Sequence, residues 1–482
     1  MPTSRLAIDL SAVEHNLRLI RLATAVPSNA APGAAAAGSP AGNLGKTQIC
    51  AVIKQDAYGM GAGRLARKLA QCGVDLLAVY SLDEARALVD LPIKSPVLVL
   101  MPVTGIDRSD PLFRLTVAGR LHVVLHSLEH ATELSSFCSR LGVQLPVHVQ
   151  VDSGMSRGGS LPEAAAEIVR FAAASNRLRL TGLMTHFSSP GNDEAFTREQ
   201  ARVFRSLIDN VKPTLMELAR KGAPPVVVHA ANTAATFRSS SLHATMVRVG
   251  QGLYGFGSGD LASNPAPEFG DLAGQLRHAV RWLAPIVHTE TIPTGWPVGY
   301  NRTWHARRPS RIAIIPVGYA GGYPLTLGNR AVVRLTGRMY PKVGDTSTAA
   351  DAASVWVPVV GRVSMDQITI DVTEAPESLV RSGMEVELIG TDPSKPNAMP
   401  KLAAEAGTIT HALLCGIAPS VERTYTVSDA AGGSGEATTP DAAGTRSATP
   451  FDPAAAARAQ RGAGVSADLA GWIAGKSSIA AS

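Results

Sequence analysis

Eight short apolar runs, each followed by a stretch with helical periodicity, lie between residues 48 and 257. This alternation is typical of repeated β–α units that build a parallel sheet. Eight units predict a closed (β/α)8 TIM barrel rather than an open doubly wound sheet, since no run leads into the Gly-x-Gly-x-x-Gly turn of a dinucleotide-binding fold. The predicted strands are residues 49–54, 76–81, 96–101, 121–125, 147–151, 180–186, 226–229 and 246–249.

The sequence on either side of the barrel has a different character. Residues 276–426 contain apolar-alternating runs, such as the one at residues 279–288, without long helical stretches between them, which predicts a mainly antiparallel β-domain. Residues 1–10 are predicted as a strand that joins this β-domain, so that the barrel domain covers residues 11–275. Residues 27–45 and 427–482 are rich in Ala, Gly, Ser and Pro, and we expect a disordered insertion and a disordered tail.

A helix is predicted directly after the first strand. Ser11 has the position of an N-cap, and Glu14 three residues later completes a capping box. We therefore expect this helix to begin at Ser11.

Charge and cysteine usage exclude several classes of function. The formal net charge of +6 is spread over 482 residues without a basic block, which disfavours nucleic-acid binding. No apolar run has membrane-spanning length, and residues 1–21 lack the apolar core of a secretory signal, so we expect a cytoplasmic protein with no membrane partner. The four cysteines show no spacing typical of disulfide frameworks or zinc sites, and we expect reduced thiols and no metal.

A lysine ends the first apolar run of the predicted barrel. At Lys54 an ammonium pays a desolvation cost unless it is paired or used covalently, and burial lowers a lysine pKa towards nucleophilic behaviour. A lysine there can also simply mark the solvated end of a strand. Further polar segments follow other predicted strands, and all of these would meet at the carboxyl-terminal rim, where barrels of this kind carry active sites. This convergence favours a catalytic Lys54.

The stretch around Lys54 resembles the cofactor-lysine motif of alanine racemases, members of the fold-type III pyridoxal enzymes. Its sequence is Ala-Val-Ile-Lys-Gln-Asp-Ala-Tyr-Gly-Met-Gly over residues 51–61, and the resemblance extends over residues 3–425. In that family the lysine holds pyridoxal 5′-phosphate as a Schiff base and the tyrosine four residues later reaches the phosphate. The resemblance therefore implies these roles for Lys54 and Tyr58.

Four more segments match cofactor-binding motifs of the family. Without the resemblance they could be a glycine-rich turn, a structural histidine or an ordinary helix cap. The resemblance implies that Arg157 contacts the phenolic oxygen of the cofactor and borders the substrate, and that His186 packs against the pyridine ring. The remaining cofactor contacts are implied for Asn232 and Thr233 at the phosphate, Arg248 at the pyridine nitrogen, and Gly250 and Gln251 through their backbone amides.

An arginine at the ring nitrogen limits the chemistry. A guanidinium stays protonated and donates a hydrogen bond, but it does not let the ring nitrogen hold a proton as an aspartate would. The ring is then a weaker electron sink, which leaves simple removal and return of a proton at Cα.

The predicted β-domain supplies the other half of the implied site. Residues 317–323 resemble the family segment whose tyrosine, here Tyr319, is the second catalytic base, with His186 as its helper. Family members place this tyrosine in the partner's site, so the resemblance implies a head-to-tail homodimer. By the same resemblance, Met365 and Asp366 border the substrate carboxylate, and Tyr300 narrows access and favours small side chains.

Four positions depart from the family pattern. Gln150 stands where many relatives have a carbamylated lysine, and a neutral amide can hydrogen bond Arg157 but cannot offset its charge. Gly321 replaces an aspartate and Met60 a histidine. His411 replaces a tyrosine on the phosphate and could still donate to it. We expect weaker cofactor retention rather than loss of activity.

The resemblance implies a pyridoxal 5′-phosphate enzyme that interconverts L- and D-alanine and supplies D-alanine for peptidoglycan. A racemase of broader or serine specificity is a first alternative. A catalytically silent pyridoxal-phosphate carrier is a second, although a carrier needs no second base. A decarboxylase is a third, although it would prefer an acidic residue at the position of Arg248.

Overall fold

The computed structural model describes residues 4–25, 46–257, 267–269, 271–340 and 354–427. The predicted insertion at residues 27–45 and, apart from Val427, the predicted tail at 427–482 lie outside these residues. The domain bounds stay a prediction. Within the described ranges, no helix has both the length and the apolar character needed to cross a membrane.

The chain begins with strand β1 (Arg5–Asp9) and helix α1 (Leu10–Ala25). The Asp9 carboxylate accepts hydrogen bonds from the backbone amides of Ser11 at 2.8 Å and Ala12 at 3.2 Å. The predicted cap at Ser11 is therefore wrong, because the aspartate before the helix satisfies these free amides. Glu14 forms an ion pair with Lys68 instead of closing a capping box.

All eight predicted parallel runs form strands of one closed barrel, which confirms the fold class. Closure occurs where the first barrel strand pairs with the last, Gln48 opposite Met246. Seven buried apolar side chains of the barrel strands form a cluster in the interior, among them Cys50, Leu98 and Met246. The barrel strands are β2 (Gln48–Val52), β3 (Leu76–Val79), β4 (Val97–Val99), β5 (Leu121–Leu125), β6 (Leu145–Gln150), β7 (Leu178–Met184), β8 (Val227–His229) and β9 (Met246–Val249).

Helices cover the outside of the barrel. The longest of these in the described ranges is amphipathic, and its buried stripe includes Phe204, Leu207 and Val211. The helical elements of this part of the chain are α2 (Lys54–Gly59), which is a single turn at the rim, and the helices α3 (Ala62–Gln71), α4 (Leu82–Arg86), α5 (Phe113–Val117), α6 (Leu128–Leu141), α7 (Pro162–Ala174), α8 (Glu194–Arg220) and α9 (Thr233–Arg238). Short 3-10 turns lie at Ser240–Leu242, Gln251–Tyr254, Pro267–Phe269, Tyr300–Arg302, Tyr319–Gly321, Leu325–Leu327 and Glu377–Leu379.

The second part of the described chain forms a mainly antiparallel sheet, as predicted. Strand β1 lies in this sheet, antiparallel to the strand that starts at Val280 and parallel to the last described strand. The run predicted at 279–288 is two strands, and two helices precede the last strand where none was predicted. The elements are β10 (Val280–Pro285), β11 (His288–Ile292), β12 (Pro297–Val298), β13 (Trp304–His305), β14 (Ser310–Ile315), β15 (Val332–Met339), β16 (Val355–Val360), β17 (Ile368–Asp371), β18 (Met384–Ile389), α10 (Met399–Glu405), α11 (Thr410–Cys415) and β19 (Glu422–Thr426).

The order of this sheet brings the last described strand next to the first. Within the described residues the order is β11-β14-β17-β16-β15-β18-β10-β1-β19, and β12 pairs with β13 as a separate ribbon. Since α1 enters the barrel layer directly after β1, the sheet edge formed by β1 and β19 lies beside the barrel. This placement carries residues of β19 to the first β–α turn.

Candidate active site

Lys54 lies two residues beyond the end of β2, at the carboxyl-terminal rim of the barrel. It is half-buried, and burial is the main cause of its lowered pKa. The positive charge of Arg157 lowers this pKa further, while Glu84 opposes the shift. Burial and the Arg157 charge make the Lys54 amine easier to deprotonate than that of a solvated strand-end lysine, which favours nucleophilic behaviour.

The residues after Lys54 form one left-handed helical turn rather than an α-helix. Gln55, Asp56, Ala57 and Tyr58 have φ values of 53°, 52°, 55° and 61°. Such a conformation costs L-residues about 1–2 kcal/mol each. Strain of this kind is found where a functional geometry is fixed by the surrounding structure, and here it sets the direction of Tyr58 relative to Lys54.

Contacts from both sides hold this turn. The Asp56 carboxylate accepts from the Ala62 amide at 2.7 Å. From β19, the Arg423 Nε donates to the Gly59 carbonyl at 2.9 Å, and the Tyr425 hydroxyl donates to the Met60 carbonyl at 2.9 Å. Arg423 and Tyr425 were missed from the sequence, because only the sheet order brings them to a turn some 365 residues earlier.

Tyr58 lies between the turn after β9 and helix α11. Its ring centroid is 5.6 Å from that of Tyr254 and 5.8 Å from that of His411. A Cβ placed on Gly250 would lie 2.1 Å from the Tyr58 hydroxyl oxygen, so the glycine is what allows this hydroxyl to approach the backbone. Two of the other predicted site residues, Gly250 and His411, thus lie directly beside Tyr58.

The start of α9 is tied to the same turn. The Thr233 hydroxyl accepts from the amides of Gly250 and Gly252, both at 3.3 Å. The Asn232 side chain caps α9 by accepting from the Ala235 amide at 3.1 Å, and it donates to the Phe187 carbonyl at 3.3 Å. Gln251 begins the 3-10 turn that these bonds hold in place. The Asn232 carboxamide is therefore used for local structure at this rim.

Arg248, on β9, is the buried cation of the site. Its Nη1 contacts the His229 Nδ1 at 3.1 Å and donates to the His229 carbonyl at 2.7 Å. Its Nη2 donates to the Thr185 carbonyl at 2.6 Å and contacts the His186 Nδ1 at 3.0 Å. Burial lowers the Arg248 pKa to about 10, so it stays protonated at neutral pH. Among the bonds described, both terminal nitrogens are engaged and none involves the Nε–H.

His186 is held as a neutral ring. Burial, and then the charges of Arg248, Arg157 and Lys54, keep the pKa of His186 well below its usual value. Because the guanidinium donates to Nδ1, the ring proton is on Nε2. His411 has the same character, since burial and the Lys54 charge lower its pKa. The site thus combines two guanidinium groups and a lysine with neutral histidines.

The loop after β6 carries Arg157. The Asp152 carboxylate accepts from the amides of Gly154, Met155 and Ser156 at 2.9, 2.9 and 3.0 Å, which fixes the loop. The Gln150 amide donates to the backbone carbonyls of Arg157 at 3.4 Å and Gly158 at 3.1 Å. Gln150 therefore supports the main chain of the loop, and its described hydrogen bonds go to backbone carbonyls and not to the Arg157 guanidinium.

The predicted residues of the second domain form a separate group. The Tyr319 amide donates to the Ser364 carbonyl at 3.0 Å, which joins its turn to the segment of Met365 and Asp366. Gly299, next to Tyr300, packs against the same segment at Arg362. Tyr319, Tyr300 and Met365 are 46 %, 70 % and 54 % exposed, so this is an uncovered aromatic and apolar patch. Within the described residues, no hydrogen bond, ion pair or ring contact joins these side chains to the Lys54 group.

Comparisons with known proteins agree along the whole described fold. Residues 39–257 match the family described as alanine racemase, N-terminal domain, and residues 279–425 match alanine racemase, C-terminal domain. An alanine racemase from Desulfovibrio desulfuricans is 34 % identical over 419 residues, which are 87 % of this chain and 96 % of that protein. One from Halothermothrix orenii is 33 % identical over 78 % of this chain and 90 % of its own length.

A solved structure of similar shape comes from the same family. The alanine racemase of Clostridium difficile is 26 % identical, with a TM-score of 0.69, and the match covers 89 % of this chain and 96 % of the other. Both domains and the order in which they occur are therefore shared. This chain belongs to the alanine racemase family.

Proposed function

We propose that this protein is a pyridoxal 5′-phosphate-dependent racemase that interconverts L- and D-alanine in the cytoplasm and supplies D-alanine for peptidoglycan. The observation that carries the proposal is that the site contains both Lys54, at the barrel rim, and Arg248. The described hydrogen-bond partners of the Arg248 guanidinium are all uncharged. Relatives that bear the name alanine racemase at 34 % and 33 % identity support the choice of alanine.

The residues at the rim fit a phosphorylated cofactor. Lys54, Arg157 and Arg248 are three basic side chains, and the neutral His411 and the Tyr58 hydroxyl supply donors beside the backbone of Gly250. Such a donor set suits an anion. Lys54 would hold the cofactor covalently, Arg248 Nε–H would meet its ring nitrogen, and the amides of the Gly250 turn, with Thr233, would hold the phosphate. When bound, pyridoxal phosphate acidifies the Cα–H of the amino acid.

The chain's own residues then determine the outcome of proton transfer. Lys54 has a lowered pKa and lies at the rim, so it serves as the base on one face of Cα. Arg248 donates without giving up a proton, which disfavours reactions that need a protonated ring. Inversion requires a second base on the opposite face, and we assign that role to Tyr319.

Tyr319 acts in the site of a partner subunit in this proposal. The exposed patch of Tyr319, Tyr300 and Met365 supports a head-to-tail homodimer, because large exposed apolar groups mark interaction surfaces. Asp366 and Met365 would then border the substrate carboxylate, and Tyr300 would narrow access, so that a methyl side chain fits better than a larger one.

Gly250→Ala is expected to weaken cofactor binding by about 10²-fold, because the new methyl group would displace the Tyr58 hydroxyl, and misplacement of a positioning group by about 1 Å can have this effect. Gly257→Ala is a matched control, since a Cβ at Gly257 has no atom within 4 Å among the described residues. Titration of the cofactor-free protein, followed by absorbance, measures both. Equal affinity in the two variants would contradict the role given to Gly250.

The proposed activity is tested with the cofactor-loaded protein and L-alanine in D2O. We expect D-alanine that carries deuterium at Cα, because two bases on opposite faces exchange with solvent. Deuterated L-alanine without D-alanine would disprove the second base. Exchange of serine as fast as that of alanine would favour the broader racemase, and release of carbon dioxide would favour the decarboxylase. No exchange of any amino acid would leave only the carrier.

A further inference from the structure

Three buried or half-buried histidine side chains follow Arg248 in a row of contacts through the barrel interior. The Arg248 Nη1 meets the His229 Nδ1 at 3.1 Å, and the His229 Nε2 meets the His148 Nδ1 at 2.9 Å. The His148 Nε2 meets the His122 Nδ1 at 3.0 Å, and His122 also hydrogen bonds to the backbone of Gly119. We call His229, His148 and His122 the histidine chain.

Counting hydrogens determines the protonation of the histidine chain. Each of the three nitrogen-to-nitrogen contacts holds one hydrogen, and a guanidinium only donates. His229 must therefore accept at Nδ1 and donate from Nε2, and the same assignment repeats at His148 and His122. The last ring then carries its proton on Nε2, the ring nitrogen left for the backbone of Gly119. A second proton on any ring would place two hydrogens in one contact.

The surroundings support neutral rings. His148 and His229 are 1 % and 0 % exposed, and burial is the main cause that keeps the pKa of both well below the usual value. Burial, followed by the charge of Arg179, lowers the pKa of His122 to about 4. All three are therefore uncharged near neutral pH.

The barrel also provides space for the middle ring. Gly182 pairs with His148 on the neighbouring strand, and a Cβ at Gly182 would lie 2.1 Å from the His148 Nδ1. Any larger residue would push the ring off its contact with His229. Gly119 precedes β5, so the histidine chain runs from the carboxyl-terminal rim towards the opposite rim.

The histidine chain has a consequence for the guanidinium. A carboxylate in place of His229 would orient Arg248 but would also offset its charge. Neutral rings that all donate away from Arg248 present an acceptor without adding an anion. The guanidinium is thus oriented, with Nε–H left for the ligand, and its charge remains available to the site.

We propose that His148 and His122 are positioning residues that fix the tautomer of His229 and, through it, the orientation of an electrostatically unbalanced Arg248 in the proposed racemase reaction. This inference rests on the proposed function for its effect on rate. The tautomers themselves are a property of the protein without cofactor.

The first test uses cofactor-free protein labelled with ¹⁵N-histidine. Long-range ¹H–¹⁵N NMR spectra at neutral pH should show three neutral rings protonated on Nε2, and their signals should be assigned by the single variants His122→Asn, His148→Asn and His229→Asn. A ring of the histidine chain that is protonated on Nδ1, or on both nitrogens, would overturn the proposal.

The second test compares His148→Leu with His148→Asn. The leucine leaves the His229 Nε2–H without its acceptor, whereas the asparagine Oδ1 replaces the His148 Nδ1. We expect kcat to fall by about 10–100-fold in His148→Leu, as for other residues that orient a ligand-binding group, with an unchanged KM. His148→Asn should stay within about threefold of the unmodified protein, since its acceptor is retained.

Two further variants separate positioning from folding. His122→Leu cuts the histidine chain at its half-buried end and should lower kcat less than His148→Leu. His130→Asn changes a buried histidine whose Nε2 faces the Val103 carbonyl, outside the histidine chain, and should leave kcat and KM unaltered. Equal losses in His148→Leu and His148→Asn would refute the positioning role. An inactive unmodified protein with Nε2-protonated rings would refute the proposed function alone.

Discussion

Replacement of Lys54 by alanine is expected to lower the rate of racemisation by at least about 10⁴-fold, since a covalent nucleophile and one of two bases are lost together. Lys54 lies at the barrel rim with a pKa lowered by burial and by the charge of Arg157. No described side chain of the Lys54 group offers a second amine. The variant should still bind the cofactor through its phosphate contacts, but without a covalent bond.

Borohydride reduction measures the covalent bond directly. In the unmodified protein, reduction followed by peptide mass spectrometry should place the cofactor on the peptide that contains Lys54, and the Lys54→Ala variant should carry no label. Lys221→Ala is the control, because Lys221 forms an exposed ion pair with Glu217 on α8 and should behave as the unmodified protein. A label on another lysine, or activity above about a hundredth of normal in Lys54→Ala, would contradict the assignment.

The barrel was predictable because its strands have a simple signature. Runs such as 121–125 and 246–249 are apolar, short and separated by helical stretches, so their bounds match the observed β5 and β9. The prediction of one run at residues 279–288 was wrong for a local reason. It continues past Pro285, which lacks a backbone donor, and the chain there leaves β10 and starts β11 at His288.

The rim residues were predictable as a group, but their geometry was not. Glycines at 59 and 61 indicate a turn after Lys54, yet nothing in the sequence signals four successive non-glycine residues with positive φ. That conformation depends on Arg423 and Tyr425, which the sheet order supplies. Long-range contacts of this kind do not follow from periodicity.

Two positions of the histidine chain carried a signal that was overlooked. His122 and His148 interrupt otherwise apolar strands, and a polar side chain on the inward face of a barrel needs a partner. The alternation of β5 places His122 on the same face as Val124, which belongs to the interior cluster. Identifying the partner still required the pairing of β6 with β7 and β5.

Tyr319→Phe is expected to slow racemisation by about 10²–10⁴-fold, the usual contribution of a positioned base. The phenyl ring keeps the packing of the exposed patch but lacks the hydroxyl group that gives or accepts a proton. One enantiomer of alanine, whose Cα–H faces Lys54, should still exchange that hydrogen for deuterium without inversion, while the other should not exchange. Chiral chromatography with mass spectrometry separates the two. Equal loss of exchange in both enantiomers would remove Tyr319 from the second-base role.

The location of Tyr319 leads to a sharper test with mixed dimers. Co-expression of two differently tagged chains and purification by both tags gives heterodimers of Lys54→Ala with Tyr319→Phe. If each site takes Lys54 from one subunit and Tyr319 from the other, one of the two sites is intact, and about half of the normal activity should return. If both residues act within one chain, neither site is intact and activity stays at the level of the single variants.

A second heterodimer should be inactive where the first is active. It shows whether the presence of an unmodified Lys54 and an unmodified Tyr319 anywhere in the dimer is enough for activity. It pairs an unmodified chain with a chain that carries both Lys54→Ala and Tyr319→Phe. With sites shared between subunits, each site lacks one base and the heterodimer should be inactive, although it contains one unmodified chain. With sites confined to one chain, the unmodified chain would give about half of the normal activity. Exchange of subunits would lower the activity of the first heterodimer and raise that of the second, so an active first heterodimer together with an inactive second one can arise only from a site that two subunits build together.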